Sequence, residues 1–401
     1  MKIHRSVLAL SAAHFCIDNY STMLGALLPF LHRELHLTMA QAGILGGVLA
    51  FSGSFMQPFY GYLSDRFQNK ALSALSPAIA GIFISSLGLA SSYSSLLVLL
   101  LLGGVGIAAF HPQGAAVTSE TSGHDHGYQM SVFITAGMIG YALGPVYITS
   151  VVGLVGFKHS YWAAIPGIVM SGYLLLYGPS PARVETRARR AQFSRQVREK
   201  WKPLIILYFL VVIRSAVQVV YASFLPLYLT SRGMNDIQAS QILTLFLLAG
   251  GSSGFLGGIL ADRFGGKAII AVSMIGAFPL LLASLWTHGL MLLLTCAAGG
   301  AFILFTTAVN VVMAQRLVPD GASTVSALMM GFAWGMGALL VPLTGVLSDS
   351  FGLQAAMAGV ITLTLPGFFL CLALPSEAGT VRRAAAGQSP APTGVASSDA
   401  A

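Results

Sequence analysis

Four ionisable side chains stand where the sequence is otherwise apolar. Asp18 lies about midway along the apolar run 7–29, and His14 precedes it by one helical turn, which puts both on one helix face. His111 lies inside the run 95–118, and Arg214 near the middle of 203–228. An Asp or Arg at the centre of a bilayer-crossing helix costs roughly 2.5–3.5 kcal/mol on insertion scales, so each needs a partner, a proton or a water-filled cavity. A carboxylate beside an imidazole can take up and release protons. A guanidinium keeps its charge and holds a carboxylate or phosphonate with two parallel N–H donors. Two readings of Asp18 and Arg214 stand. They form a permanent ion pair, or Arg214 holds an anion while Asp18 takes up a proton, the anion displacing Asp18 from Arg214. His111 is a proton-pathway group or a packing histidine, and Pro112 beside it removes a backbone donor from the turn.

Weaker candidates surround these four. Gln218 and Tyr221 follow Arg214 at helical spacing and extend a polar face, while Asn310 and Gln57 are further cavity-lining amides. Trp334 and Met330 read as core packing. His124, Asp125 and His126 are adjacent in sequence, and three adjacent residues seldom converge on one ion, so no metal site is expected. Neither a phosphate-binding loop nor a nucleophile elbow is found in the sequence, which argues against ATP as energy source, against a cofactor and against an enzyme.

The elements that must carry these residues are long apolar helices. Hydrophobic residues make up 55% and charged residues 8% of the chain, whereas soluble domains carry about 25% charged residues. Twelve apolar stretches can be drawn: 7–29, 41–63, 71–91, 95–118, 128–150, 161–178, 203–228, 238–260, 267–287, 289–313, 323–347 and 353–374. Each is near the roughly 20 residues that cross hydrocarbon as a helix. Lipid offers the backbone no hydrogen-bond partner, so helices are required. The net charge of +8 is unevenly placed. Lys2, Arg5, Arg66, Lys70, the basic connection 181–202, Arg263, Lys267, Arg316, Arg382 and Arg383 fall on one side, against Arg33, Lys158 and Arg232 on the other. The positive-inside rule then makes both termini cytoplasmic, and the basic excess reads as topology rather than as nucleic-acid binding. The first run is interrupted by His14 and Asp18 and is followed at once by further spans, so it reads as a retained helix and not a signal peptide. Cys16, Cys296 and Cys371 lie far apart inside spans and imply no disulfide framework. Residues 376–401, rich in Ala, Ser, Gly and Pro, read as a disordered tail.

One phrase is written twice. GYLSDRFQNK occupies 61–70 and GGILADRFGGK occupies 257–267, and Gly61 and Gly258, Asp65 and Asp262, Arg66 and Arg263, Lys70 and Lys267 all stand 197 residues apart. Pro29 and Pro226, Gln41 and Gln238, Gly140 and Gly337, and Pro145 and Pro342 keep the same offset. A repeat this long is a six-span half: an even number of crossings brings the chain back to its starting side, so the halves share orientation and are related by an axis along the membrane normal. The offset carries Asp18 to position 215, so Arg214 lies at nearly the same depth in the partner half. The expected division is residues 1–180, a basic linker 181–202, residues 203–375 and a tail 376–401. Glycines at four-residue spacing, Gly140 and Gly144, Gly250, Gly254 and Gly258, and Gly331 and Gly335, let helices approach closely and are expected to ease the motion of the halves.

The repeated phrase resembles the loop signature of the major facilitator superfamily, G-x-L-x-D-R-x-G-R/K-R/K. The first copy departs from it at Gln68 and Asn69. SAAHFCIDNYSTMLGALLPFL (11–31), MQPFYGYLSDR (56–66) and GIAAFHPQGAA (106–116) are similar to the fosmidomycin resistance branch of that superfamily. TAGMIGYALGP (135–145) resembles a fifth-span exporter motif carried by Gly140, Gly144 and Pro145. The resemblance implies twelve helices around a central pathway. It implies a latch at Gly61, Asp65, Arg66 and Lys70, with a second at Gly258, Asp262, Arg263 and Lys267. It also implies proton-driven export of a small, anionic, drug-like compound or metabolite from a bacterial inner membrane, by a protein working as a monomer among membrane lipids. Proton-linked import, and a non-transporting receptor or scaffold, are the alternatives.

Overall fold

The structure, a computed structural model, describes residues 3–67, 69–121, 126–179, 190–319 and 322–375. Among the described residues every regular element is helical. The first half runs α1 (Arg5–Ser21), α2 (Met23–Leu35), α3 (Met39–Ala50), a π-helical turn Phe51–Phe55, α4 (Gln57–Phe67), α5 (Ala71–Ser85), α6 (Tyr93–Thr121), α7 (His126–Val155), a 3-10 stretch Phe157–Ala164 and α8 (Ile165–Tyr177). A connecting helix α9 (Arg190–Glu199) leads to α10 (Trp201–Ser231), α11 (Asp236–Phe264), α12 (Gly266–Ser284), α13 (Gly289–Leu304), α14 (Thr307–Leu317), α15 (Ala322–Ala327), a second π-turn Leu328–Phe332, α16 (Ala333–Ala338), α17 (Leu340–Phe351), α18 (Leu353–Thr362) and α19 (Thr364–Leu372).

Among the described residues ten helical runs are individually long and apolar enough to cross a membrane. The expected first and sixth spans are also helical but broken, the first at Thr22 between α1 and α2, the sixth where 3-10 geometry precedes the 13-residue α8. The basic connection is partly helical, through α9, while the expected tail 376–401 lies outside the described residues.

The 197-residue offset has a local cause. Thr38 and Asn235 are both N-caps, each accepting from the backbone N–H of the third residue on, Gln41 and Gln238. In the first half Gln41 returns a bond to the Thr38 backbone, completing a capping box. His36 (φ 49°) and Gly233 (φ 89°) both take the left-handed conformation that turns the chain before these caps. The repeated positions are therefore the ones that start and stop helices, where few residue types serve.

The halves meet through backbone at glycines outside the expected stripes. Gly25 faces the backbone of Ala222, Gly47 the ring of Pro342, and a Cβ at Gly43 would come 2.7 Å from the Val341 carbonyl oxygen. Of the stripes read from sequence, Gly140 and Gly144 instead press on Phe15 and Asn19 of the same half, and Gly250 on Leu304 and Gly300 of its own half. Only Gly331 and Gly335 reach across, to Gln57 and Phe55. Spacing identifies a face for close packing but not the neighbour that uses it. Where the halves cross, the two π-turns oppose each other, and Phe55 and Phe332 meet as tilted rings with centroids 5.1 Å apart. π-turns inside α-helices frequently lie at functional sites.

Candidate functional site

α1, α6 and α7 assemble a charged cluster inside the first half. His14 Nε2 lies 3.2 Å from Asp18 Oδ2, and His111 Nε2 lies 3.0 Å from Asp18 Oδ1. Each histidine is fixed from behind: His14 Nδ1 is 2.9 Å from the Phe133 carbonyl oxygen, and His111 Nδ1 is 2.8 Å from that of Ile107. His14 also stacks on Phe133 at 4.2 Å and meets His111 edge-on at 5.1 Å. Gly137 of α7 leaves the room, since a Cβ there would come 2.6 Å from His14 Nε2 and 2.7 Å from Asp18 Oδ2.

Donor and acceptor roles then follow. A carbonyl oxygen only accepts, so both Nδ1 atoms carry hydrogen. Neutral rings would turn bare Nε2 lone pairs towards a carboxylate that also only accepts. Each of the two contacts with Asp18 therefore needs a proton of its own, and the geometry drawn is that of a cluster holding two. Losing one leaves lone pairs opposed.

Arg214 lies apart from this cluster, which overturns both the permanent Asp18–Arg214 pair and the scheme in which a substrate displaces Asp18. Both Asp18 oxygens are already engaged. Arg214 is 5% exposed, and its ion-pair partner is no carboxylate among the described residues. Its Nη1 donates to Gln218 Oε1 (3.1 Å) and Thr307 Oγ1 (3.2 Å), its Nη2 to Ser215 Oγ (3.4 Å), and its buried Nε has no partner. Tyr141 faces Gln218 from α7, within electrostatic reach of both Asp18 and Arg214, and stacks edge-on with Trp334 at 5.8 Å. Matching depth in two homologous helices was legible; that α6 and α7 would claim Asp18 first was not.

Other expected site residues fall elsewhere. Tyr221 turns away from Arg214, its hydroxyl bonded to Ser284 and its ring against Phe246 inside the second half. Seven residues on from Arg214 is almost two full turns, so Tyr221 keeps nearly the same face but stands about 10 Å further along the helix, among different neighbours. Asn310 bonds Thr306 at 3.4 Å and is buried in its own half, with Thr307 the residue of that helix that reaches Arg214. Gln57 donates to the Gly53 carbonyl beside the π-turn and faces Gly331. Sequence reasoning missed Tyr141, Thr307 and Ser215, whose types are common in packing.

The repeated loops close helices within each half. Lys70 Nζ donates to Gly178 O at 3.4 Å and Lys267 Nζ to Leu372 O and Leu374 O at 2.6 Å, so each lysine caps the last helix of its half. Asp262 pairs with Arg316 at 3.1 Å, inside the second half. Gly61 lies against Pro112, Gly258 faces open space, and Arg66 and Arg263 are exposed. The side chains of Asp65 and Glu120, and residues His124 and Asp125, lie outside the described set.

A third, degenerate copy of the phrase lies at 345–352. Gly345, Leu347, Asp349, Phe351 and Gly352 repeat the order of Gly258, Leu260, Asp262, Phe264 and Gly265, with Ser350 in place of the arginine. Gly265 (φ 88°) and Gly352 (φ 83°) turn the chain alike. This copy works between the halves: the Asp349 oxygens accept from Met39 N and Ala40 N, both at 2.9 Å. They cap the positive end of α3. Beside them Arg33 and Asp236 form a two-pronged pair across the halves (3.0 and 2.8 Å).

The family profile described as Major Facilitator Superfamily matches residues 10–342. The chain belongs to the major facilitator superfamily. It is 28% identical to the MFS-type transporter YfnC of Bacillus subtilis over 94% of both chains. It is 27% identical to the fosmidomycin resistance protein of Escherichia coli, covering 89% of this chain and 92% of that one. The fold is shared with a bacterial homologue of the lysosomal transporter Spinster, solved inward-facing and occupied, with a TM-score of 0.78, 16% identity, and coverage of 96% and 98%. This major facilitator protein is thus a multi-pass membrane transporter of a small-molecule substrate.

Gly137→Ala tests how tightly the cluster is built. The added methyl must displace His14 and Asp18, and overpacking of this kind costs about 1–3 kcal/mol. The detergent-purified variant is expected to unfold several degrees below wild type in a thermal-shift measurement; an unchanged midpoint would show that α7 yields freely.

Proposed function

We propose that this transporter exports a small organic anion across the bacterial inner membrane in exchange for protons. The observation that carries the reading is Arg214: a buried guanidinium that, among the described residues, has an unpartnered Nε and no carboxylate pair, set apart from the carboxylate–histidine cluster. A buried, unpaired charge is costly, and intramembrane ionisable groups are pathway residues by default. An anion bound at Arg214, with Gln218, Thr307 and Tyr141 around it, would supply the missing countercharge. The direction of transport draws on the similarity to the fosmidomycin resistance protein.

The test is transport in proteoliposomes under an imposed pH gradient, with a phosphonate such as fosmidomycin, an aromatic carboxylate, and neutral and cationic controls. Anion movement opposite to proton flow is expected. Anion and proton moving together would replace export with import, and movement of cations or neutral solutes alone would remove Arg214 from the substrate site.

Alternating access in this reading uses the Asp349 contact as a latch that closes the end away from the termini. Both partners of the contact lie on helices of different halves, so it must break for that end to open. Losing a cap costs about 1 kcal/mol, enough to shift a two-state population about 5-fold. Asp349→Ala is expected to raise the open fraction by that factor, measured by pulsed EPR between spin labels at Glu34 and Ile237. A distance distribution identical to that of the parent would exclude a latch.

A further inference from the structure

We propose that His14, Asp18 and His111 form a binding site for a divalent transition-metal ion of the zinc class, which competes with protons for the cluster. The inference rests on the geometry of these three residues and not on the anion reading of Arg214.

Three donor atoms from two helices, one from each side chain, lie within 4.8 Å of one another. Zinc binds imidazole nitrogen and carboxylate oxygen at about 2.0–2.2 Å, so tetrahedral neighbours stand on the order of 3.3 Å apart. The imidazoles stand 3.2 and 3.0 Å from the two different oxygens of Asp18, close to that value, and the remaining separation within the 4.8 Å set closes by a small movement of the side chains. Orientation matters as much as distance. Metal-binding histidines typically donate their second ring N–H to a carbonyl or carboxylate, which fixes the tautomer and aims the other lone pair. The Phe133 and Ile107 carbonyls do this for His14 and His111. Gly137 keeps the space between the ligands free of a side chain.

The donor set selects the ion. Two imidazoles and one carboxylate suit zinc, cobalt or nickel, whereas magnesium and calcium need more oxygen ligands than are present. Charge selects the competition. With two shared protons the cluster carries +1. Releasing both and binding one divalent ion again gives +1, so the low-dielectric surroundings see no change in charge. One metal ion therefore replaces two protons, and three protein ligands leave a coordination position open to water or an anion.

The experiment is titration of the purified full-length protein in detergent with cobalt(II), followed by its visible absorption, and with zinc(II), followed by calorimetry and thermal shift. One ion per chain is expected. Because two protons leave, affinity should fall about 100-fold for each unit that the pH drops within the range where the free cluster is doubly protonated. His111→Ala and His14→Ala should each weaken binding at least about 10-fold, and Asp18→Asn, which preserves the shape of the side chain, should remove the zinc-induced rise in unfolding temperature. Absence of stoichiometric binding, or binding that Asp18→Asn and both histidine variants leave intact, overturns the proposal. Transport is not the readout, so failure here leaves the reading of Arg214 standing.

Discussion

Asp18→Asn is expected to abolish proton-driven transport while leaving substrate-for-substrate exchange running. The carboxylate is the only acceptor shared by both imidazoles, and each contact with it depends on one proton. An amide of the same shape donates to one Nε2 and accepts from the other at fixed protonation. Packing among Phe133, Gly137 and the two rings is kept, but the group no longer gains or loses charge. Proton transfer through a placed side chain is worth about two to four orders of magnitude, so gradient-driven flux should fall by about 100-fold or more. Exchange needs only a loaded binding site and moving halves, and it should stay within a few-fold of wild type. Proteoliposomes loaded with unlabelled substrate measure both in one preparation. Gradient-driven flux that persists at the wild-type rate would remove the cluster from the coupling path.

Arg214→Met should separate binding from stability. For an anionic substrate the guanidinium provides charge and a planar pair of donors, and breaking a buried ion pair costs about 3–5 kcal/mol. Transport should therefore drop by two to three orders of magnitude. Arg214→Lys keeps the charge without the fork and should mainly raise KM, by about 10-fold, because a point charge on a flexible stem fits a planar acid less well. The empty protein should respond the other way. Its Arg214 charge is buried with one N–H unsatisfied, and replacing such a group with an apolar side chain of similar length is often neutral or stabilising. The expected outcome is an unfolding temperature at or above wild type for Arg214→Met together with lost transport. A collapse in stability would mean that Arg214 holds the helices together through Gln218 and Thr307 and is not held in readiness for a ligand.

The Asp349 contact shows a limit of reading by motif. The loop phrase is recognisable where its Asp–Arg pair survives. At 345–352 the arginine is missing and the aspartate faces a helix start, so no second charge was there to announce it. Lys70 and Lys267, by contrast, do the same job 197 residues apart, because a helix C-terminus asks for a cation in either half.

The sequence by itself determined the helices, their number and the duplication. Apolar runs of bilayer length leave the backbone no alternative to helix, and caps such as Thr38 and Asn235 are local instructions that need no distant partner. It also singled out Asp18, His14, His111 and Arg214, because ionisable groups are too costly in lipid to be there without cause. Only the tertiary structure decided how they combine. Asp18 and His111 are 93 residues apart, and which of several polar groups at one depth a carboxylate meets depends on helix rotation and on a few ångströms of approach. Gly137 allows that approach, since α7 could not otherwise come close enough to hold His14 against Asp18. With Asp18 so engaged, Arg214 is left without a carboxylate partner among the described residues. Pairing in a bundle is a property of packed surfaces, and sequence spacing carries depth along a helix but not the angle at which two helices meet.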